Sequence, residues 1–271
     1  MTDTYAVIGN PVAHSKSPRI HAEFARETGQ DMSYTAILAA DADFEAEVRR
    51  FRDAGGRGLN VTLPYKHRAY ALAQQRTRRA EEALAVNTLA FDGDTVRADN
   101  TDGVGLVRDL TANLRCALRG RRILLLGAGG ASYGVCGPLL EQGPAQLVIA
   151  NRTMEKAVAL CERFAAHENG EALAVSSYAA LAGREFDVVI NATSAGLAGK
   201  MPDLPPRLFA TGALAYDMLY GTTTPFMSYA AQDGARVADG LGMLVEQAAE
   251  SFHLWRGVRP DTAPVIALLR R

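Results

Sequence analysis

The chain has 271 residues, with 29 lysines and arginines against 30 aspartates and glutamates and a formal net charge of −1. Hydrophobic residues make up 48% and charged residues 22%, a globular composition that argues against a disordered or fibrous chain. The balanced charge argues against general nucleic-acid binding and against electrostatic docking to anionic lipid.

The cysteines and the apolar segments bear on location. The three cysteines are too few for a disulfide framework and lack zinc-site spacing, so free thiols and no metal are expected. The N-terminus has no basic region followed by a long apolar one, and no export signal is predicted. The longest uncharged stretch, Ile123 to Leu140, contains five glycines and Pro138, which favours a strand, a turn and a helix over a membrane span. We expect a cytoplasmic protein.

The first hundred residues predict an α/β region. Ser17 before Pro18 is typical of a helix start, with serine as N-cap and proline at the first helical position. The predicted elements are, in chain order, a strand at 5–9, a helix from Ser17 to Gly29, a helix at 43–54, a strand at 59–63, a helical region after Lys66, and a hairpin formed by 86–90 and 95–98.

After Thr101–Gly103 the pattern changes to short apolar runs that alternate with helical segments. This alternation predicts a doubly wound parallel sheet. Two further helices are predicted at 241–255 and 261–270. The six runs are 122–126, 146–150, 172–175, 187–191, 214–218 and 235–238.

A glycine-rich turn follows the strand at 122–126. Gly127 and Gly129 occupy the first two glycine positions of a dinucleotide-binding fingerprint, and Ser132 occupies the third. Without side chains, backbone N–H groups can approach a pyrophosphate at a helix N-terminus, where the helix dipole favours anions. The alternative is a tight strand–helix turn that binds nothing.

The end of the next strand indicates which dinucleotide is bound. An NAD site usually has Asp or Glu there for the ribose 2′-hydroxyl. The strand ends instead in Asn151-Arg152-Thr153, with Lys156 one turn later. A guanidinium can neutralise a 2′-phosphate, so NADP is favoured over NAD. The alternative for Arg152 is a solvated charge at a helix start.

Two residues are candidates for proton transfer. Lys66 follows a row of polar strand-end residues that includes Asn60 and Thr62, and Asp102 lies where the sequence pattern changes. A lysine and an aspartate in a cleft can position a proton for a developing alkoxide. From composition alone, each is more often a surface charge or a helix cap.

Nine motifs, taken together and in order, resemble the shikimate dehydrogenase family over nearly the whole chain. They are Gly9-Asn10-Pro11, Ser15-Lys16-Ser17-Pro18, the segment from Asn60 to Lys66, Val86-Asn87-Thr88, Asp99-Asn100-Thr101-Asp102-Gly103, Gly127 to Ala131, Asn151-Arg152-Thr153, Asn191-Ala192-Thr193-Ser194, and the segment from Gly240 to Ala248.

The resemblance implies the reversible NADPH-dependent reduction of 3-dehydroshikimate to shikimate, a step of chorismate and aromatic amino acid biosynthesis. It implies a substrate-binding and catalytic domain formed by residues 1–102 and 240–271, with C-terminal helices that return to it. Residues 103–239 would form a Rossmann-type NADP-binding domain. The enzyme would act on a small-molecule substrate, as a monomer or homodimer, without nucleic acid or membrane.

The resemblance also implies roles for individual residues. Lys66 and Asp102 would be the catalytic pair. Substrate would contact Ser15, Ser17, Asn60, Thr62, Lys66, Asn87, Asp102, Tyr220 and Gln247. The cofactor would contact Gly127, Ala128, Gly129, Gly130, Ala131, Asn151, Arg152, Thr153, Lys156, Thr193, Met218 and Gly240.

Some residues have simpler interpretations or depart from the family pattern. The structural alternatives are a helix N-cap for Ser17, a buried amide for Gln247, an aromatic loop residue for Tyr220, stabilisation of loops for Asn60, Thr62 and Asn87, and core packing for Met218. Tyr133 stands where relatives often have arginine, and Arg78 where they often have an acidic residue near the cofactor. His14 and His21 are expected at the surface without a role.

The sequence leaves two other functions open. One is a quinate/shikimate dehydrogenase that prefers NAD or accepts quinate, which Arg152 disfavours. The other is a regulator that binds NADP without turnover, which the Lys66 and Asp102 pair disfavours.

Overall fold

The computed structural model describes residues 2–271, and the chain divides into two compact units. The first consists of Met1–Gly105 and Val245–Arg271, and the second of Leu106–Leu244. These boundaries lie a few residues after those expected from sequence.

The first unit contains a six-stranded mixed sheet in the order β2-β1-β3-β5-β6-β4. β1 is parallel to β2 and β3, whereas β5 is antiparallel to β3 and β6, so the predicted hairpin is present. The strands are β1 Asp3–Gly9, β2 Met32–Leu38, β3 Gly56–Val61, β4 Gln75–Arg76, β5 Thr88–Asp92 and β6 Thr95–Asp99.

Helices cover this sheet, and the start of α1 differs from the prediction. Lys16 is the N-cap and Ser17 is already helical. The Ser15 hydroxyl accepts a hydrogen bond from the Ser17 N–H at 3.2 Å. Ser15 therefore satisfies one of the N–H groups at the helix start that have no partner within the helix, a role that the sequence predicted for the Ser17 hydroxyl. The helices of this unit are α1 Ser17–Thr28, α2 Phe44–Asp53, α3 Lys66–Leu72, α4 Arg78–Ala83 and α10 Ala263–Leu269. Two more helices are shared between the units: α5, Asp102–Arg108, begins in the first unit and ends in the second, whereas α9, Leu241–Arg256, begins in the second and ends in the first.

The second unit is a six-stranded parallel sheet in the order β12-β11-β10-β7-β8-β9, which confirms the predicted doubly wound class. Its strands are β7 Arg122–Leu126, β8 Gln146–Ala150, β9 Leu173–Ser176, β10 Phe186–Asn191, β11 Phe209–Asp217 and β12 Arg236–Asp239, and its own helices are α6 Gly130–Leu140, α7 Met154–Phe164 and α8 Pro225–Gln232.

Both faces of this parallel sheet are buried. On β7, Ile123 and Leu125 join one apolar cluster, while Leu124 and Leu126 join the other. Burial on both faces explains why the strand reads as a continuous apolar run. Among residues 2–271 no helix is long and apolar enough to cross a membrane.

Candidate active site

Lys66 and Asp102 meet in the first unit, each as the first residue of a helix. Lys66 begins α3 and Asp102 begins α5. The Lys66 Nζ lies 2.5 Å from Asp102 Oδ2, and their side chains are 27% and 14% exposed. A charged hydrogen bond of this length is a strong one. The ammonium and the carboxylate are therefore paired but still accessible to a ligand.

Asn87 fixes the other oxygen of this carboxylate. Its Nδ2 donates to Asp102 Oδ1 at 2.8 Å and approaches Gln247 Oε1 at 3.2 Å. Its Oδ1 accepts from the Thr101 N–H at 2.9 Å, and the residue is 2% exposed. Because both ends of the amide are engaged, Asn87 orients Asp102 and Gln247 from behind.

Asn60 is also bonded on both sides of its amide. Its Oδ1 accepts from the Tyr34 hydroxyl at 2.7 Å, and its Nδ2 donates to the Asn87 carbonyl at 3.1 Å and to Ser251 Oγ at 3.0 Å. Sequence reasoning missed Tyr34 and Ser251. For Ser251 a signal existed, since it lies four residues after Gln247 on the same helix face.

Ser15, Ser17 and Thr62 lie near the carboxyl ends of β1 and β3. Ser17 is buried, while Ser15 and Thr62 are half-buried. The Thr62 N–H donates to the Ile8 carbonyl at 3.0 Å, and a Cβ on Gly9 would overlap the Thr62 methyl group. Glycine at position 9 therefore lets the polar end of β3 approach β1 closely.

His21 is not a surface residue, contrary to the prediction, whereas His14 is exposed. The His21 ring stacks on Tyr34 with ring centroids 4.1 Å apart. It also contacts Phe24 edge-on and stacks on Phe252. Burial lowers the pKa of His21 to about 3, although the nearby Asn60 amide opposes this. Its position three residues before Phe24 places it on the buried face of α1.

The glycine turn of the second unit begins with Gly127, whose φ of +103° favours glycine. Ser132, at the third fingerprint position, is fully buried and donates to the Gly127 carbonyl at 2.8 Å. The residues that open α6, from Gly129 to Ala131, are exposed. Backbone N–H groups at an accessible helix start suit a pyrophosphate.

Exposed cations lie at the carboxyl end of β8. Asn151 Nδ2 donates to the Thr153 carbonyl at 2.8 Å, and Thr153 is the N-cap residue of α7. Arg152 and Lys156 are exposed and form no ion pair with any residue between 2 and 271. Two uncompensated cations beside a helix start suit a phosphate better than a ribose hydroxyl.

The other predicted cofactor residues follow β10, β11 and β12. The Thr193 methyl lies 3.2 Å from the position of a Cβ on Gly127, and a Cβ on Gly240 would overlap the Met218 carbonyl. Tyr220 follows β11 in the second unit, and burial raises the pKa of its hydroxyl. The predicted cofactor residues thus share one edge of this sheet.

The two departures from the family pattern lie one in each unit. Tyr133 packs against the apolar core of the second unit. Arg78 is exposed on α4 and pairs with Glu82 at 2.6 Å.

Family profiles match three parts of the chain. They are described as "Shikimate dehydrogenase substrate binding domain" over residues 7–89, "Shikimate / quinate 5-dehydrogenase" over residues 109–198, and "Shikimate 5'-dehydrogenase C-terminal domain" over residues 240–270.

Similar proteins extend over the full chain. The shikimate dehydrogenase (NADP(+)) of Aromatoleum aromaticum is 60% identical, with 99% of this chain and 97% of that protein covered. That of Nitrosospira multiformis is 59% identical, with 100% and 98% covered. Among solved structures, an Ael1 enzyme from Pseudomonas putida has a TM-score of 0.95 at 51% identity, covering 99% and 98%. Shikimate 5-dehydrogenase from Thermus thermophilus, in complex with NADP(H) and shikimate, has a TM-score of 0.89 at 33% identity, covering 100% and 99%.

Proposed function

The chain belongs to the shikimate dehydrogenase family, and we propose that it catalyses the NADPH-dependent reduction of 3-dehydroshikimate to shikimate, reversibly, in chorismate biosynthesis. The observation that carries the proposal is the 2.5 Å pair of Lys66 and Asp102, held by Asn87. The proposal implies a cytoplasmic enzyme that acts as a monomer or homodimer.

Lys66 is the proposed proton donor in the direction of reduction. When bound, NADPH supplies a hydride to the ketone carbon of the substrate. As negative charge develops on the ketone oxygen, the Lys66 ammonium stabilises it and donates the proton that completes the hydroxyl. Asp102 keeps the ammonium in place and accepts a hydrogen bond from a ring hydroxyl.

The remaining substrate contacts come from polar groups around this pair. Ser15 and Ser17 bind the carboxylate through hydroxyls at the start of α1. Thr62 and Gln247 bind ring hydroxyls directly. Asn60 and Asn87 contribute mainly by orientation because their amides are already bonded. Tyr220 is a further proposed substrate contact.

The second unit fits NADP. The exposed N–H groups of Gly129 to Ala131 receive the pyrophosphate, and Ala128 and Gly127 shape the turn that presents them. Arg152, Thr153 and Lys156 bind the 2′-phosphate, with Asn151 bracing their loop. Thr193, Met218 and Gly240 contact the remainder of the cofactor.

The test is an absorbance assay at 340 nm with shikimate or quinate, each against NADP or NAD. Among the four mixtures, we expect the cofactor to be reduced fastest in the one that contains shikimate and NADP. Faster turnover with quinate or NAD would replace the proposal with a quinate/shikimate dehydrogenase. Absence of turnover in all four mixtures, with NADP bound, would indicate a regulatory protein.

A further inference from the structure

Asp217 is the last residue of β11, which lies between β12 and β10, and so stands at the carboxyl edge of the parallel sheet. It is in register with Asn191 on one side and with Asp239 on the other. Asn191 is in register with Leu126, the residue before the glycine turn. The edge therefore runs from Gly127 through Asn191 and Asp217 towards Gly240.

The Asp217 carboxylate has no exposed surface and accepts three hydrogen bonds. Asn191 Nδ2 donates at 3.1 Å, Thr224 Oγ1 at 2.6 Å and the Leu219 N–H at 3.0 Å. It forms no ion pair within the described residues 2–271. A buried carboxylate without a cationic partner is stable only while such donors are bonded to it. The three donors are therefore held in fixed positions around Asp217.

These bonds reach two segments that carry predicted cofactor residues. Asn191 Oδ1 accepts from both the N–H and the hydroxyl of Thr193, at 3.1 and 2.7 Å. The Met218 N–H donates to the Asn191 carbonyl at 3.0 Å, and the bond from Leu219 to Asp217 fixes the turn after Met218. Asp217 therefore sets the conformation of the loops after β10 and β11.

The sheet order indicates which half of the cofactor these loops face. The exposed Arg152 follows β8, on one side of β7, and marks the 2′-phosphate and hence the adenosine half. The pyrophosphate lies at the turn after β7. The rest of the molecule must then extend to the other side of β7, over β10 and β11.

We propose that Asp217, acting through Asn191, Thr224 and the Leu219 N–H, is a positioning residue for the nicotinamide half of NADP. The inference rests on the proposed function. Asp217 does not contact the cofactor itself; it aligns the loops that do. A small misplacement of the hydride donor lowers the rate of the chemical step far more than it lowers affinity.

The experiment compares Asp217→Asn and Thr224→Val with wild type. Asp217→Asn replaces an acceptor oxygen with a donor. Thr224→Val keeps the side-chain shape but removes the 2.6 Å bond to Asp217 and the N-cap bond that the hydroxyl accepts from the Met227 N–H at 3.3 Å. Each variant is measured for kcat with shikimate and NADP, and for its affinity for adenosine 2′,5′-bisphosphate, which contains the phosphorylated adenosine half alone. We expect kcat to fall roughly 10–100-fold in Asp217→Asn and about threefold or more in Thr224→Val, with affinity for the bisphosphate within about twofold of wild type.

Two further variants separate positioning from loss of stability. Thr224→Ser keeps the hydroxyl donor and should restore most of kcat. Tyr229→Phe, which removes a hydroxyl bonded to the Pro205 carbonyl from the helix that follows Thr224, should behave as wild type. Thr224→Val keeps the test valid if Asp217→Asn does not fold.

The inference is overturned if kcat in Thr224→Val equals that of wild type, or if the bisphosphate affinity falls in parallel with kcat. Failure of the proposed function looks different, because wild type itself would then not oxidise shikimate with NADP.

Discussion

Asp102 divides its two carboxylate oxygens between two partners: Oδ2 lies 2.5 Å from Lys66 Nζ, and Oδ1 lies 2.8 Å from Asn87 Nδ2. The amide points its nitrogen towards Asp102 because its oxygen, on the other side, accepts from the Thr101 N–H. The carboxylate plane is therefore fixed from behind, and the ammonium is held on its accessible side. This arrangement places one proton donor at one defined point.

Lys66→Ala removes that donor. We expect kcat to fall roughly 10²–10⁴-fold, a typical contribution of a general acid, with little change in the KM for shikimate. Steady-state kinetics in both directions measure this. Lys200→Ala is a suitable control, since Lys200 is exposed and lies in the second unit. Turnover near the wild-type rate in Lys66→Ala would remove Lys66 from the mechanism.

Asn87→Ala tests whether Asp102 must be held from behind. The change removes the donor to Asp102 Oδ1 and leaves the Thr101 N–H without its acceptor. We expect kcat to fall about tenfold or more, and the free energy of unfolding to fall by about 1–3 kcal/mol.

Asn60→Ala is the matched comparison for that experiment, since it removes a similarly buried amide that does not touch Asp102. Its loss of stability should be similar and its kcat should fall less. Equal losses of kcat in the two variants would mean that Asn87 acts only through stability.

Individual strands show how much of the fold could be predicted from the sequence. The doubly wound sheet was predictable because its strands are buried on both faces and form continuous apolar runs. β2, Met32–Leu38, was missed because it is an edge strand, mostly half-buried or exposed, without a regular alternation of apolar residues. β4 has only two residues and leaves no pattern to read.

The sequence predicts which residues form the site, but not how they are bonded to one another. The family motifs identify Asn60 and Asn87, yet no spacing along the chain shows that both amides are satisfied within the protein. Ser251 reaches Asn60 from a distant helix, a contact that depends on tertiary packing. Local patterns do not encode which polar groups meet across the core.

Arg152→Ala tests the preference for the phosphorylated cofactor. The guanidinium is exposed, without an ion pair inside residues 2–271, so its loss should remove a charge partner of the 2′-phosphate and little else. We expect the KM for NADPH to rise roughly tenfold or more, and that for NADH to stay within about twofold. Initial rates with each cofactor give both values.

The control for Arg152→Ala is Arg121→Ala, which changes the net charge equally. Arg121 is exposed directly before β7, at the opposite end of the sheet. It should leave both KM values unchanged. An equal rise of the two KM values in Arg152→Ala would contradict the assignment of the 2′-phosphate.

The buried His21 predicts a specific dependence of stability on pH. Its pKa is lowered to about 3 in the folded protein by burial, from an ordinary value of 6.5. As pH falls below 6.5, the unfolded chain binds a proton that the folded chain does not, so stability decreases until pH approaches 3. Between pH 6.5 and 4.5 this one group should account for roughly 2 kcal/mol.

His21→Phe keeps a flat ring against Tyr34 but cannot titrate, so its stability should fall less than that of wild type over this range. Urea unfolding followed by the fluorescence of Trp255 measures the free energy of unfolding at each pH. Trp255 is the single tryptophan, and its ring centroid lies 5.5 Å from that of His21 in the first unit. His14→Phe, at an exposed histidine, should retain the wild-type dependence. If His21→Phe and wild type lost equal stability between pH 6.5 and 4.5, the imidazole would not be held neutral by burial.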